Sequence, residues 1–306
     1  MNIDSRIYIA GHTGMVGSAI LRKLRELGYN NIITPIRKRL DLTNQSQVDK
    51  FFERYKPEYV FLCAAKVGGI KANSDKKADF LYENLMIQSN IINASRINKV
   101  TKLLFLGSSC IYPKLAKQPI KEEYLLDGKL EPTNDAYAIA KISGIKLCQS
   151  MNEQYNTNFI SVMPTNLYGV NDNYDLDNSH VLPAMIRKFH DAKNNNIDNV
   201  EIWGTGSPMR EFLYVDDLAE ACYFLMINYN DSDIINIGTG KDITIKELSN
   251  IIRDIVGYKG TIYFNNDMPD GTPRKLLDVS KINKLGWKYK TSLNDGIKKT
   301  YNEYAK

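Results

Sequence analysis

Residues Arg6-Ile7-Tyr8-Ile9-Ala10-Gly11-His12-Thr13-Gly14-Met15-Val16-Gly17 run from an apolar strand through a glycine turn into the helical pattern Ser18 to Leu27. Strand, glycine turn and helix in that order are the context in which a dinucleotide fingerprint is meaningful. Glycines at 11 and 14 let the backbone approach a pyrophosphate that meets the helix N-terminus, and Gly17 lets helix and strand pack closely. A tight strand-to-helix turn that binds nothing has the same outline.

Further strands alternate with helices. Asn31 to Ile36, Tyr59 to Cys63, Lys102 to Leu106 and Phe159 to Met163 read as strands, and Gln45 to Tyr55, Phe80 to Asn98 and Ala136 to Tyr155 as helices. This alternation predicts an α/β fold: a doubly wound parallel Rossmann sheet covered on both faces. After Gly169 the pattern changes. Val170 to Trp203 reads as irregular, Glu211 to Val215 as sheet-like, Asp216-Asp217 as the cap of a helix Leu218 to Ile227, and Ile234 to Ile237 as a strand. From Gly240, short helices and one strand, Thr261 to Phe264, alternate with loops. The expected division is a dinucleotide-binding domain from 1–169 and 211–240, and a smaller α/β substrate-binding domain from 170–210 and 241–306.

The second strand ends in Arg37-Lys38-Arg39 with no acid before Asp41. An NAD site normally places a carboxylate there for the ribose 2′-hydroxyl, so three cations favour the 2′-phosphate of NADP. A solvated basic turn reads the same way. Ala64-Ala65-Lys66-Val67-Gly68-Gly69 follows the third strand, and small residues there leave room for the cofactor. Gly107-Ser108-Ser109-Cys110 follows the fourth, at the edge where ligands collect. Tyr137 and Lys141 lie one helical turn apart, roughly 6 Å along the axis. An ammonium beside a phenol is expected to draw its pKa down toward the working pH, as a general acid needs. Alone, such a pair is common on any solvated helix face.

Composition narrows the field. The 306 residues are 43% hydrophobic and 25% charged, with a net charge of +5 and no basic run of the kind that grips nucleic acid. No stretch approaches ~20 apolar residues, so no membrane span is expected, and no signal peptide is read at the N-terminus. Cys63, Cys110, Cys148 and Cys222 lie far apart without a CxxC pair, which implies cytoplasmic thiols and no metal site.

Together, the glycine turn, the serine at the fourth strand end and Tyr-x-x-x-Lys some thirty residues later resemble the extended short-chain dehydrogenase/reductase family. Within it, the chain is similar to the GDP-4-keto-6-deoxy-mannose 3,5-epimerase-4-reductases. The matching stretches are Ala10 to His12, Ala64 to Ile70, Tyr82 to Asn90, Leu106 to Gln118, Tyr137 to Leu147, Met163 to Gly169, Asn178 to His180, Trp203, Pro208 to Val215 and Gly271 to Asp278. They span essentially the whole chain.

The resemblance implies NADP(H) held by Gly11, Gly14, Met15, Val16, Gly17, Arg37, Asp41, Leu42, Ala64, Leu106, Ser109, Lys141, Pro164, Asn166, Leu167 and His180. It implies that Tyr137 protonates the C4 oxygen as hydride arrives, with Lys141 and Ser108 assisting. Cys110 and His180 are then the acid–base pair that epimerises C3 and C5, both titrating near neutrality. Read only as residues, a lone cysteine is as well a buried filler, and a lone histidine a satisfied hydrogen-bonder. Lys188, Trp203, Arg210 and Asp270 are implied at the GDP end, and a homodimer through Phe80 to Asn98 and Ala136 to Tyr155.

Two positions depart from the family. Thr13 stands where relatives often carry a cation, and Val170-Asn171 where many read Pro-His. The second leaves open a longer GDP-4-keto-6-deoxy heptose as substrate, reduced at C4 with little or no epimerisation. Dehydratases of the same scaffold need an acid beside the catalytic hydroxyl, where this chain has Ser109 and Cys110.

Overall fold

The computed structural model describes residues 1–176, 178–268 and 270–306, with the backbone but not the side chains of Ile70 and Lys71. In chain order the first part holds β1 (Ile7–Ala10), α1 (Met15–Glu26), β2 (Ile32–Ile33), α2 (Gln45–Tyr55), β3 (Tyr59–Leu62), α3 (Ile70–Asp75) and α4 (Lys77–Ile97). Next come β4 (Lys102–Leu106), α5 (Asp135–Tyr155), β5 (Phe159–Pro164), β6 (Asn166–Tyr168), α6 (Val181–Asn194), β7 (Asn199–Trp203) and β8 (Met209–Tyr214). The rest comprises α7 (Val215–Asn228), β9 (Ile235–Ile237), β10 (Asp242–Thr244), α8 (Ile245–Val256), β11 (Thr261–Asn265), β12 (Arg274–Lys275), α9 (Ser280–Lys284) and α10 (Leu293–Tyr304).

Six strands form one parallel sheet in the order β2-β1-β3-β4-β5-β9. Helices α2, α4 and α5 pack together, and α1 packs on α7. The strands are largely apolar because both faces are covered: Ile7, Ile9, Val60, Phe61, Leu103, Leu104, Ile160 and Val162 are fully buried. The strand order reverses between β1 and β3, which opens a crevice at their carboxyl ends. This is the Rossmann sheet that the alternation predicts.

A second apolar core gathers Leu182, Ile186 and Phe189 of α6, Phe212 of β8, Leu248 and Ile252 of α8, and Ile297 of α10. Around it, β8 pairs with β10, β12 and β6, while β7 pairs with β11. Glu211 of β8 links these parts. Its fully buried carboxylate accepts from the backbone N–H groups of Thr239 (2.6 Å), Gly240 (2.7 Å) and Leu277 (2.9 Å). The first two lie beyond β9 of the main sheet, and the third lies just beyond β12.

The structure corrects several sequence expectations. The second strand is only Ile32–Ile33, because Pro35 offers no N–H with which to continue the ladder. The region 170–203 is not irregular throughout: it contains α6 and β7, while Asp177 within it lies outside the described residues. Pro183 is tolerated in the first turn of α6, where its missing N–H costs nothing, and Leu182, Met185, Ile186 and Phe189 form the buried stripe. The sheet-like stretch at Glu211 stands in the smaller sheet. After Gly240, β10 and β12 accompany the expected strand; at three and two residues they are too short to show a period. Among the described residues, no helix is long and apolar enough to cross a membrane.

Replacing Glu211 with Ala leaves three backbone donors without their acceptor. The expected loss is ~3 kcal/mol of unfolding free energy in urea titration; an unchanged midpoint contradicts the linking role.

Candidate functional site

The turn after β1 is shaped by close approach. A Cβ on Gly17 would lie 2.1 Å from the Gly11 carbonyl oxygen, and one on Gly11, at φ +86°, would lie 2.8 Å from the Ala64 nitrogen. Gly14 differs: a Cβ there would meet only the Gly11 oxygen, at 3.5 Å. Packing alone therefore does not demand glycine at 14, while a ligand lying against the backbone does. Gly14 is the N-cap of α1, with no side-chain cap bond and no acid in the first turn. The N–H groups of Met15, Val16 and Gly17 open a helix whose dipole suits a pyrophosphate.

Arg37 is 83% exposed, with its guanidinium 3.9 Å from Glu83. The Asp41 carboxylate accepts from the Thr43 N–H (3.0 Å) and hydroxyl (2.8 Å), which hold its pKa below the usual range. That acid is committed to its own turn, which leaves the cations at 37–39 as the groups whose charge suits a ribose phosphate. The glycine cradle and this cationic turn fit NADP.

Lys141 is buried on α5 and donates to the Leu106 carbonyl at 2.7 Å, which joins α5 to the end of β4. Its Nζ lies 5.7 Å from the Tyr137 ring centre. Contrary to the spacing argument, Lys141 does not draw the phenol down. Burial pushes the Tyr137 pKa up, and negative charge on Cys110 adds to the rise. Burial also lowers Lys141 itself to about 8, which weakens the cation invoked. Tyr137 packs edge-on against Phe80, with ring centres 6.5 Å apart.

Ser108 caps a single 3-10 turn, Ser109–Ile111, by accepting from the Cys110 N–H at 3.3 Å. Ser109 and Cys110 are buried. Cys110 does not titrate near neutrality: burial raises its thiol, although Lys275 and Lys141 oppose the rise. His180, the N-cap of α6, is reached by solvent yet surrounded by protein, as a residue lining a cleft is. Desolvation, then the Lys275 ammonium, lower its pKa. The two groups are thus pushed apart, toward a neutral thiol and a neutral imidazole.

Lys275 was missed from sequence. It stands opposite Arg210 in the β12–β8 register and faces Cys110 and His180 with its charge. The signals were the basic pair Arg274-Lys275 and its place inside the matching stretch Gly271 to Asp278.

Pro164 ends β5, while Asn166 and Leu167 lie in β6; the Asn166 amide donates to the Glu211 carbonyl at 2.8 Å. Lys188 donates to the Glu201 carbonyl at 2.9 Å and lies 5.9 Å from the Trp203 ring centre. Trp203 is 55% exposed, so its indole is not core filler. Arg210 donates to the Met209 carbonyl at 2.8 Å, and the charge of Asp270 reaches it. Asp270 accepts from the Thr205 N–H (2.7 Å) and hydroxyl (2.9 Å), which bind it to the turn after β7. These four residues form the cationic and aromatic end; Tyr137, Lys141, Ser108 and Cys110 cluster where β4 meets α5.

Residues 7–238 match the NAD dependent epimerase/dehydratase family. GDP-L-fucose synthase 1 of Arabidopsis thaliana is 55% identical, covering 99% of this chain and 94% of its own. A GDP-6-OMe-4-keto-L-xylo-heptose reductase from C. jejuni superposes with a TM-score of 0.95 at 44% identity, covering 100% and 99% of the two chains. A GDP-mannoheptose C4 reductase from Campylobacter jejuni with NADP bound gives 0.93 at 46% identity, covering 100% of both.

Removing the Lys275 charge should move both cleft groups upward. In Lys275→Met the His180 ring, followed by NMR, titrates at higher pH than in the parent. Iodoacetamide labels Cys110 more slowly at fixed pH. No change in either places Lys275 outside their reach.

Proposed function

The chain belongs to the NAD dependent epimerase/dehydratase family, and from that premise we propose that it converts GDP-4-keto-6-deoxy-D-mannose to GDP-L-fucose with NADPH. Epimerisation at C3 and C5 precedes reduction at C4. It is an NADP-dependent nucleotide-sugar oxidoreductase. The observation that carries the proposal is the joint placement of Ser108, Cys110, Tyr137 and Lys141 at the carboxyl end of β4, beside a glycine cradle with no fill at Gly14.

Bound NADPH supplies hydride to C4. Tyr137, held protonated by burial, is in the form that gives a proton to the C4 oxygen. Lys141 orients that end of α5 through Leu106 and supplies positive charge as the phenol loses its proton. The Ser108 oxygen accepts from the Cys110 N–H, and its hydroxyl hydrogen is the one proposed to turn from the Cys110 sulfur to the same C4 oxygen when substrate is bound.

The C4 ketone acidifies the protons at C3 and C5, and inversion needs a base on one face and an acid on the other. The opposed shifts support one division of roles: His180, pushed toward the neutral imidazole, removes the proton, and Cys110, pushed toward the thiol, returns one. Lys188, Trp203, Arg210 and Asp270 are the residues proposed to receive the GDP end. Cations there suit a diphosphate, and the exposed indole suits a base or sugar. A cytoplasmic homodimer through α4 and α5 belongs to the same proposal. Tyr82 and Ile139 leave large apolar surface exposed on those helices.

A second proposal is favoured by the loop after Gly169. Asn171 adopts φ +65°, which asparagine tolerates, and donates to the Ser18 hydroxyl at 3.0 Å. Val170-Asn171 in that loop departs from the Pro-His that many relatives read, and the heptose reductases are similar across the whole chain. The alternative activity is C4 reduction of a GDP-4-keto-6-deoxy heptose with little epimerisation.

Supplying the hexose ketone with NADPH is expected to consume the nicotinamide absorbance, and Tyr137→Phe to slow it by ~100-fold or more. Absence of turnover removes the hexose assignment. In D2O without NADPH, deuterium should enter C3 and C5; reduction without exchange selects the heptose reductase. Because the His180 pKa is lowered, exchange should persist as pH falls through ~6.5, the ordinary histidine value, and fade below it. Loss above that point contradicts the base role.

A further inference from the structure

The stretch Tyr82 to Asn90 lies on α4 and takes no part in the chemistry above. Its buried side is unexpectedly polar: Asn84 is 2% exposed, Gln88 3% and Asn90 7%. A buried amide costs free energy unless it is hydrogen-bonded, and an apolar residue would fill the same space without that demand. Burial alone therefore does not account for three amides on one helix.

Their bonds run to three different walls of the cleft. Asn84 accepts from the Lys66 N–H at 2.8 Å and donates to the Lys66 carbonyl at 3.0 Å, gripping the loop after β3 at both groups of one residue. It also donates to the Phe80 carbonyl at 2.7 Å. Asn90 donates to the Leu42 carbonyl at 2.9 Å, in the loop after β2. Gln88 donates to the Ala140 carbonyl at 2.6 Å, on α5 between Tyr137 and Lys141. The neighbouring helix makes room for that amide. A Cβ on Gly144 would lie 2.9 Å from the Gln88 Oε1 and 2.5 Å from the Phe105 ring.

We propose that Asn84, Gln88 and Asn90 are positioning residues, through which α4 sets the two loops that face the dinucleotide and the turn of α5 that carries Tyr137 and Lys141. The proposal rests on the dinucleotide reading of the cleft. It divides the labour: Asn84 and Asn90 govern the grip on the cofactor, and Gln88 governs the placing of the acid. A structural role alone would weaken every property together.

The test is a crossed pattern among Asn84→Leu, Asn90→Leu and Gln88→Leu, measured on the full chain. NADPH binding is read by nicotinamide fluorescence without sugar, turnover at saturating NADPH, and melting temperature in parallel. Loss of one or two buried hydrogen bonds predicts a dissociation constant raised about ten-fold in Asn84→Leu and Asn90→Leu, with saturated turnover within about two-fold. In Gln88→Leu, turnover falls about ten-fold while NADPH binding stays within about two-fold. Asn90→Leu carries the cofactor arm by itself if Asn84→Leu does not fold. Parent-like NADPH binding in the asparagine variants overturns the proposal, as does a loss of binding and turnover that merely follows melting temperature. Failure of the parent protein to bind NADPH is a separate result: it removes the cleft reading, and this proposal with it.

Discussion

The bond from the Lys141 ammonium to the Leu106 carbonyl is the contact on which the rest of the cleft depends. A buried lysine is costly, and here burial lowers its pKa to about 8. That cost is offset by a carbonyl left over where β4 stops accepting from its neighbours. The bond fixes the start of α5 against the strand end that also delivers Ser108 and Cys110. Phenol, serine hydroxyl and thiol are thereby held on one edge by a helix, a strand and the single turn between them. Rigid elements position such groups more closely than loops do.

Electrostatics around this edge are set by burial first and by charge second. Burial raises Tyr137 and Cys110 and lowers His180 and Lys141, so every one of the four is pushed toward its neutral form. Lys275 then acts on two of them with the same sign, lowering both Cys110 and His180. For the phenol, the thiol and the imidazole this suits proton traffic, because each begins in the state from which it gives or takes a single proton, while Lys141, lowered only to about 8, keeps most of its charge near neutral pH.

Much of the architecture was legible because apolar strands alternate with long helices. β4 and α2 are found at the limits the pattern sets, Lys102–Leu106 and Gln45–Tyr55. The misreadings have local causes. Pro35 cut a strand short, Pro183 disguised the start of α6, and β12 is too brief to carry a period. Candidate residues were likewise visible by type and spacing, but their surroundings were not. Four-residue spacing says that Lys141 is near Tyr137; it cannot say that Leu106 already holds the ammonium or that the phenol is desolvated. Lys275 escaped because only the tertiary pairing of β12 with β8 brings it to the cleft.

Asn171 ties the loop after β6 to the first turn of α1 through the Ser18 hydroxyl, and the Ser18 hydroxyl in turn donates to the Met15 carbonyl at 3.0 Å. That loop and the start of the helix after the glycine turn therefore share a mechanical joint. An exchange at 171 is not private to its own loop, because it also unloads the first turn of α1. A side chain at 171 without a donor would release both the loop and the serine that closes the start of the helix.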